Sequence, residues 1–174
     1  MNNEIIEVIK NRRSIKRYKS DAVPRELIDE VIAAGISAAS GRNLQSPIVI
    51  AITDKATRDR LSAANAAILG MERDPFYNAP AVLVVLVPKS SHTGIYDGSL
   101  VMGNMMLAAD ALGLGSCWIH RAREVFETEE WRELVSSLGL VGEYEGVGNL
   151  ILGYPDCDRP NPIPRKENRV FYLD

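Results

Sequence analysis

Residues 97–112 read DGSLVMGNMMLAADAL. Asp97 stands where an N-cap belongs, so the stretch predicts a helix running through Leu112. Gly98, Ser99, Gly103, Ala108, Ala109 and Ala111 lie among Met102, Met105 and Met106. The helix is therefore apolar or small nearly all round, and such a helix is buried on most sides. In a chain of 174 residues it either fills one core or packs against a second subunit. The methionines read as packing material, not as ligands.

Working outward, helical periodicity recurs at 3–10, from Pro24 to about Ala39 with Leu27, Ile28, Val31, Ile32 and Ile36 on one face, at 55–69, and from Glu129 to Leu138 before Gly139. Short β-branched or apolar runs predict strands at Ile48–Thr53, Ala81–Val87, Ser116–Ile119 and Val147–Leu152. There is no internal repeat, linker or low-complexity tract, and the length suits one domain, 1–174, that buries roughly 70% of its unfolded surface.

Charge narrows the function classes. The net charge is −3 and the pI about 5.5, unlike the broad basic footprint of nucleic-acid binders. Against that background, Lys10, Arg12, Arg13, Lys16 and Arg17 crowd residues 10–17 around NRRSIKRY. If the first helix continued through them, Arg12 would face Lys16 and Arg13 would face Arg17, an arrangement that invites a small anion. A solvated basic helix end is the plainer alternative. Cys117 and Cys157 have no CxxC spacing and only His92 and His120 are present, so neither a disulfide framework nor a metal site is expected. No apolar run reaches the ~20 residues of a membrane span and the N-terminus has no signal pattern, which reads as a soluble cytoplasmic protein.

Three further segments stand out. SGRNLQSP, Ser40–Pro47, is a loop whose amides can meet a heterocycle edge. GLGSCWIHR, Gly113–Arg121, leads from a helix stop into a strand and leaves His120 beyond its end. Its glycines do not form the GxGxxG of a dinucleotide fold. GYPDCDRPNPIPRK, Gly153–Lys166, is a proline-stiffened segment ending in Arg165 and Lys166.

In this order and at these separations, RRSIKRY, SGRNLQSP, GLGSCWI after a small-residue helix, and GYP followed by PRK resemble the nitroreductase family of FMN-dependent oxidoreductases across essentially the whole chain. The resemblance implies an α+β fold with a mixed central sheet flanked by helices, assembled as a homodimer with FMN at its interface. It implies that Arg12, Arg13 and Ser14, joined by Arg165, contact the cofactor phosphate and ribityl chain. Lys16 would reach the ring edge where reduced flavin carries its charge, and with His120 it is the candidate catalytic residue, His120 acting through position. Ala39, Ser40, Gly41 and Asn43 would come from the second chain. Trp118, Ile119, His120 and Arg121 would line one flavin face, with Asn65 a further candidate contact. The implied reaction uses NADH or NADPH to reduce a nitroaromatic, quinone or similar acceptor by two-step hydride transfer. A non-catalytic flavin sensor or storage protein on the same scaffold is the second reading. The chain departs from the family's pattern at Ser46 and Ile48, where proline and an aromatic residue usually follow Gln45, and the short span 88–97 leaves the pocket open or shaped by residues 70–78.

Overall fold

The computed structural model describes residues 3–173. Helix α1 spans Glu4–Asn11, and the Asn3 side chain caps it by accepting from the backbone N–H of Ile5 at 3.0 Å and Ile6 at 3.3 Å. It ends close to the expected 3–10 and does not continue through the basic run. Arg12 turns to ψ 135°, and the chain runs extended beside a distant strand. Ser14 pairs in parallel with Ser116, and Tyr18 pairs with Pro155. Extended backbone alternates its side chains, so Ile15 is buried while Ser14 and Lys16 face solvent.

Helix α2 covers Arg25–Ile36, ending three residues short of Ala39, with Pro24 at its N-cap. Strand β1 is Ile48–Ile52. Helix α3 is Lys55–Leu69; Asp54 accepts from Thr57 N–H at 2.8 Å at one end, and Gly70 closes the other at φ 63°. Strand β2 is Ala81–Pro88. Helix α4 is Gly94–Ala111, so Asp97 lies in its first turn and is not its N-cap. Strand β3 is Gly115–Ile119. Helix α5, Ala122–Phe126, escaped the periodicity because it is five residues long. Helix α6 is Glu129–Ser137 and strand β4 is Tyr144–Gly153, longer than expected at its polar N-terminal end.

The four strands pair antiparallel in the order β1-β2-β4-β3. The sheet is thus antiparallel where a mixed one was expected, and among the described residues parallel pairing is confined to the Ser14–Ser116 bridge. Strand β2 is central, so its run AVLVVLV is buried on both faces. Leu83, Val85 and Val87 pack with Val31, Met102 and Met105 of α2 and α4. Val82, Val84 and Leu86 pack on the other face with Leu61, Phe126 and Trp131 of α3, α5 and α6. Each such fully buried aliphatic side chain contributes about 1.5–3 kcal/mol relative to exposure.

Helices α2 and α4 approach closely enough that a Cβ on Gly35 would lie 2.4 Å from Met105 Cγ. Yet α4 is buried along one side only. Tyr96 and Leu100 are exposed, and a Cβ on Gly103 would meet nothing within 4 Å. Among the described residues, no helix is long and apolar enough to cross a membrane.

Candidate functional site

The extended basic segment owes its place to backbone pairing. Ile15 N–H donates to Ser116 O at 3.0 Å, Lys19 N–H to Tyr154 O at 2.9 Å, and Asp156 N–H to Arg17 O at 3.0 Å. Ile15 can approach β3 because residue 115 is glycine: a Cβ there would stand 2.9 Å from the Ile15 side chain. The segment is therefore held between the sheet edge and the chain that follows β4.

Its cations line a cavity of about 360 Å³, formed by Arg12, Arg13, Ser14, Lys16 and Arg165 with the proline-rich segment at 160–163. The structure thus brings the two basic clusters from opposite ends of the sequence together. Arg13 Nη1 donates to the carbonyls of Lys10 and Arg12, each at 2.8 Å. Arg13 Nε and Arg12 Nη1 are buried without a partner among the described residues. Buried donors of this kind are costly unless something accepts from them. A phosphate is a fitting acceptor, since guanidinium pairs with it in fixed geometry.

Lys16 also lines a second cavity of about 320 Å³, with Tyr77, Trp118, Ile119, His120 and Arg73. Its ammonium lies 5.6 Å from the Tyr77 ring centroid. One lysine is the shared wall between a cationic recess and an aromatic one. A molecule with a phosphate at one end and a planar ring at the other matches that pair.

The strand end at His120 is fixed from beneath. Asn65 and Asn149, both fully buried, donate to the His120 carbonyl at 2.8 and 3.4 Å. Arg121 then takes a left-handed conformation, φ 75°, which starts α5. Asn149 was missed by sequence reasoning, although an amide inside the apolar run VGNLIL was its signal. Cys117 lies in the same recess. Burial pushes its thiol up, only partly offset by a hydrogen bond from Ser14 and the charges of Lys16 and Arg12, so it stays neutral. The neighbouring Tyr18 phenol is likewise pushed up, chiefly by burial and further by Cys117, Cys157 and Tyr77, and it donates to Ile15 O at 2.6 Å.

Residues 70–79 wall the second cavity. Asp74 accepts from Arg58 Nη2 at 2.6 Å, from Phe76 N–H at 2.8 Å, from Asn78 N–H at 2.7 Å, and from the Ser62 hydroxyl. Arg58 Nε donates to Ala79 O at 3.0 Å. Burial alone would raise the Asp74 carboxyl, but these donors outweigh it and hold it below the usual carboxylate value. Tyr77 and Asn78 sit at φ 53° and 57°.

The other predicted loop lies elsewhere. Gly41–Asn43 forms a 3-10 turn, with Arg42 and Asn43 at positive φ. Asp97, read from sequence as a helix cap, instead accepts from Gly41 N–H at 2.9 Å and from the Thr93 hydroxyl at 2.8 Å. Ala39 and Ser40 line a separate cavity with Asp97 and Val101, which shares no residue with the Arg12 and His120 cavities. Within one chain, then, Ala39, Ser40, Gly41 and Asn43 do not join the other predicted residues.

The chain is similar to several known proteins. A protein of Bacillus subtilis named FMN reductase [NAD(P)H] is 28% identical over 180 residues, 94% of this chain and 70% of its own length. One from Archaeoglobus fulgidus, assigned provisionally as an NADH dehydrogenase/NAD(P)H nitroreductase, is 31% identical over 162 residues, 90% of this chain and 88% of its own. The crystal structure of a nitroreductase with bound FMN from Desulfitobacterium hafniense superposes with a TM-score of 0.86 at 26% identity, covering 100% of both chains. The nitroreductase family model itself matches residues 9–75 and 67–154, and on that match the chain belongs to the nitroreductase family.

Proposed function

We propose that this chain is an FMN-dependent oxidoreductase that uses NAD(P)H to reduce nitroaromatics, quinones or a related small acceptor, and that it works as a homodimer. The observation that carries the reading is Lys16 standing between two cavities, one ringed by guanidinium groups with unpartnered donors and the other walled by aromatic side chains. Arg12, Arg13, Ser14 and Arg165 hold the phosphate and ribityl end. Lys16 and the Trp118–Arg121 segment meet the ring, with Asn65 fixing that segment from below. When bound, FMN supplies the two-electron chemistry that passes a hydride equivalent from NAD(P)H to the acceptor.

The protein's own groups hold and polarise. Lys16 places a cation at the ring edge, where negative charge develops on reduction, and electrostatic stabilisation is largest when such a group is already in position. The neutral Cys117 thiol beside it leaves that charge uncompensated. His120 acts through the placement of its backbone. Donor and acceptor visit one open face in turn, consistent with a sequence that lacks a dinucleotide fingerprint.

Two features support the dimer. Ile5 and Ile9 of α1 and Tyr96 and Leu100 of α4, on helices that contact each other, expose apolar side chains of the kind a second subunit covers. The loop Ala39–Asn43 is anchored to Asp97 of α4 yet outside the cavity it is expected to serve, so it completes the partner's site.

The purified protein is expected to be yellow, to release FMN rather than FAD on denaturation, and to oxidise NAD(P)H through many turnovers with menadione. A colourless protein that FMN cannot reconstitute would overturn the reading, and a single turnover would favour a flavin-binding protein without catalysis. Sedimentation of the holoprotein as a dimer at nanomolar concentration checks the assembly, since an obligate interface buries about 2,000 Å² or more.

A further inference from the structure

The charge around the aromatic cavity is one-sided. Of the described residues lining it, Lys16 and Arg73 are cations and none is acidic. Of the two carboxylates flanking Arg73, Asp74 is committed to Arg58 and to the turn behind the wall, and Glu72 is exposed and lies outside the cavity lining. Lys16 also faces the phosphate-type recess. Arg73 does not line that recess, it is exposed, and it forms no ion pair or hydrogen bond among the described residues. The phosphate end already has Arg12, Arg13 and Arg165, so the charge of Arg73 remains for another ligand.

The wall that carries Arg73 is also fixed. The Arg58–Asp74 pair is largely buried, with side chains 8% and 23% exposed, and it sets the following turn, so Arg73 is presented from an anchored position. Tyr77, Trp118 and Ile119 give the same cavity apolar walls suited to a flat ring.

We propose that the acceptor is a small aromatic molecule bearing an anionic group, a carboxylate or its equivalent, and that Arg73 is the residue that reads it. This rests on the FMN oxidoreductase reading above. A guanidinium holds a carboxylate by two parallel hydrogen bonds. For a nitrobenzoate the reaction balances as one NADH and one proton converting the nitro group to nitroso, with NAD⁺ and water released. The dinucleotide phosphates of NAD(P)H offer a second source of negative charge. Arg73, the one lining cation that does not also face the phosphate recess, suits the single carboxylate of a one-ring acid better.

The test needs no turnover. The oxidised holoprotein is titrated with benzoate and with its neutral analogue benzamide, and the flavin absorbance is followed. Benzoate is expected to bind about tenfold more tightly than benzamide at low salt, with the ratio shrinking as salt screens the charge. Arg73→Gln should bring the two within about twofold, and Arg73→Lys should restore part of the preference. Stopped-flow reduction by NADH, run on wild type and Arg73→Gln, separates the two anion sources. Equal affinity for the two ligands in wild type overturns the proposal, as does a preference that survives Arg73→Gln. So does an Arg73→Gln variant whose main defect is slow reduction by NADH or lost FMN. A wild-type protein that cannot hold FMN overturns the function reading and this proposal together, whereas a yellow protein indifferent to benzoate overturns this one alone.

Discussion

Of two irregular loops, one walls the candidate site and the other, expected to serve it, lies apart from it within the chain, and they are secured in opposite ways. Residues 70–79 are bolted down within their own chain: Asp74 gathers four donors, one from the largely buried Arg58, and the next turn places Tyr77 beside Lys16. Residues 39–45 hang chiefly from one carboxylate, Asp97, through Gly41, with local support from Ser40 to Gln45. Both loops hold residues at positive φ, so neither conformation comes free. The first loop uses its anchoring to shape a cavity of the same chain. The second is held by the helix whose outer side is exposed, which is where a loop serving a second chain would be fixed.

The contrast can be broken by mutation. Asp74→Ala strands the Arg58 guanidinium in a largely buried position and should cost about 3–5 kcal/mol of folding stability, read from the denaturant midpoint. The same carboxyl predicts an acid limb. Its folded value lies below the unfolded one, so its contribution is fully present above the ordinary aspartate value, about 3.9, and is lost as pH falls through the folded value. Stability of the wild type should therefore drop below about pH 4 more steeply than that of Asp74→Asn.

Asp97→Ala should be milder, about 1–3 kcal/mol, because it leaves the Gly41 N–H and the Thr93 hydroxyl without an acceptor but strands no charge. Its larger consequence should be weaker FMN binding in the dimer. If it destabilises as much as Asp74→Ala while FMN affinity is unchanged, the assignment of the second loop to the partner's site fails.

Arg165→Ala is the smallest. It should leave the fold intact, since its segment is exposed, and weaken FMN by about 1–2 kcal/mol with little effect on saturated turnover. Lys16→Ala provides the complementary measurement: the two-electron potential should become more negative, where ~30 mV corresponds to about 1.4 kcal/mol. A potential that stays put or rises would show that Lys16 does not face the charged ring edge.

What could be read from sequence followed locality. Helix α3 was legible to its ends because Asp54 and Gly70 mark them within the same window. Strand β2 was legible because burial on both faces leaves an unbroken apolar run. The extended conformation of residues 12–18 was not, because its partner Ser116 lies far along the chain and nothing in RRSIKRY itself forbids a helix. Asp97 looked like a cap because its true partner, Gly41, is remote. Asn149 carried a local signal, polarity inside an apolar strand, but its role depends on His120 across the β3–β4 pairing. The grouping of Arg12 with Arg165 came from the family resemblance and not from any pattern in the residues.

The stapling of the basic segment to Ser116, Tyr154 and Asp156 also sets an order of events in the cell. Residues 12–18 leave the ribosome early, yet the strand they lie against and the backbone that clamps them are made much later. Until residue 156 has emerged, the arginines have no fixed spacing and no recess to line. On the proposed assignment of these arginines to the cofactor phosphate, loading is a step that follows synthesis, and a nascent chain stalled before β4 would carry the whole RRSIKRY sequence without the recess that receives it.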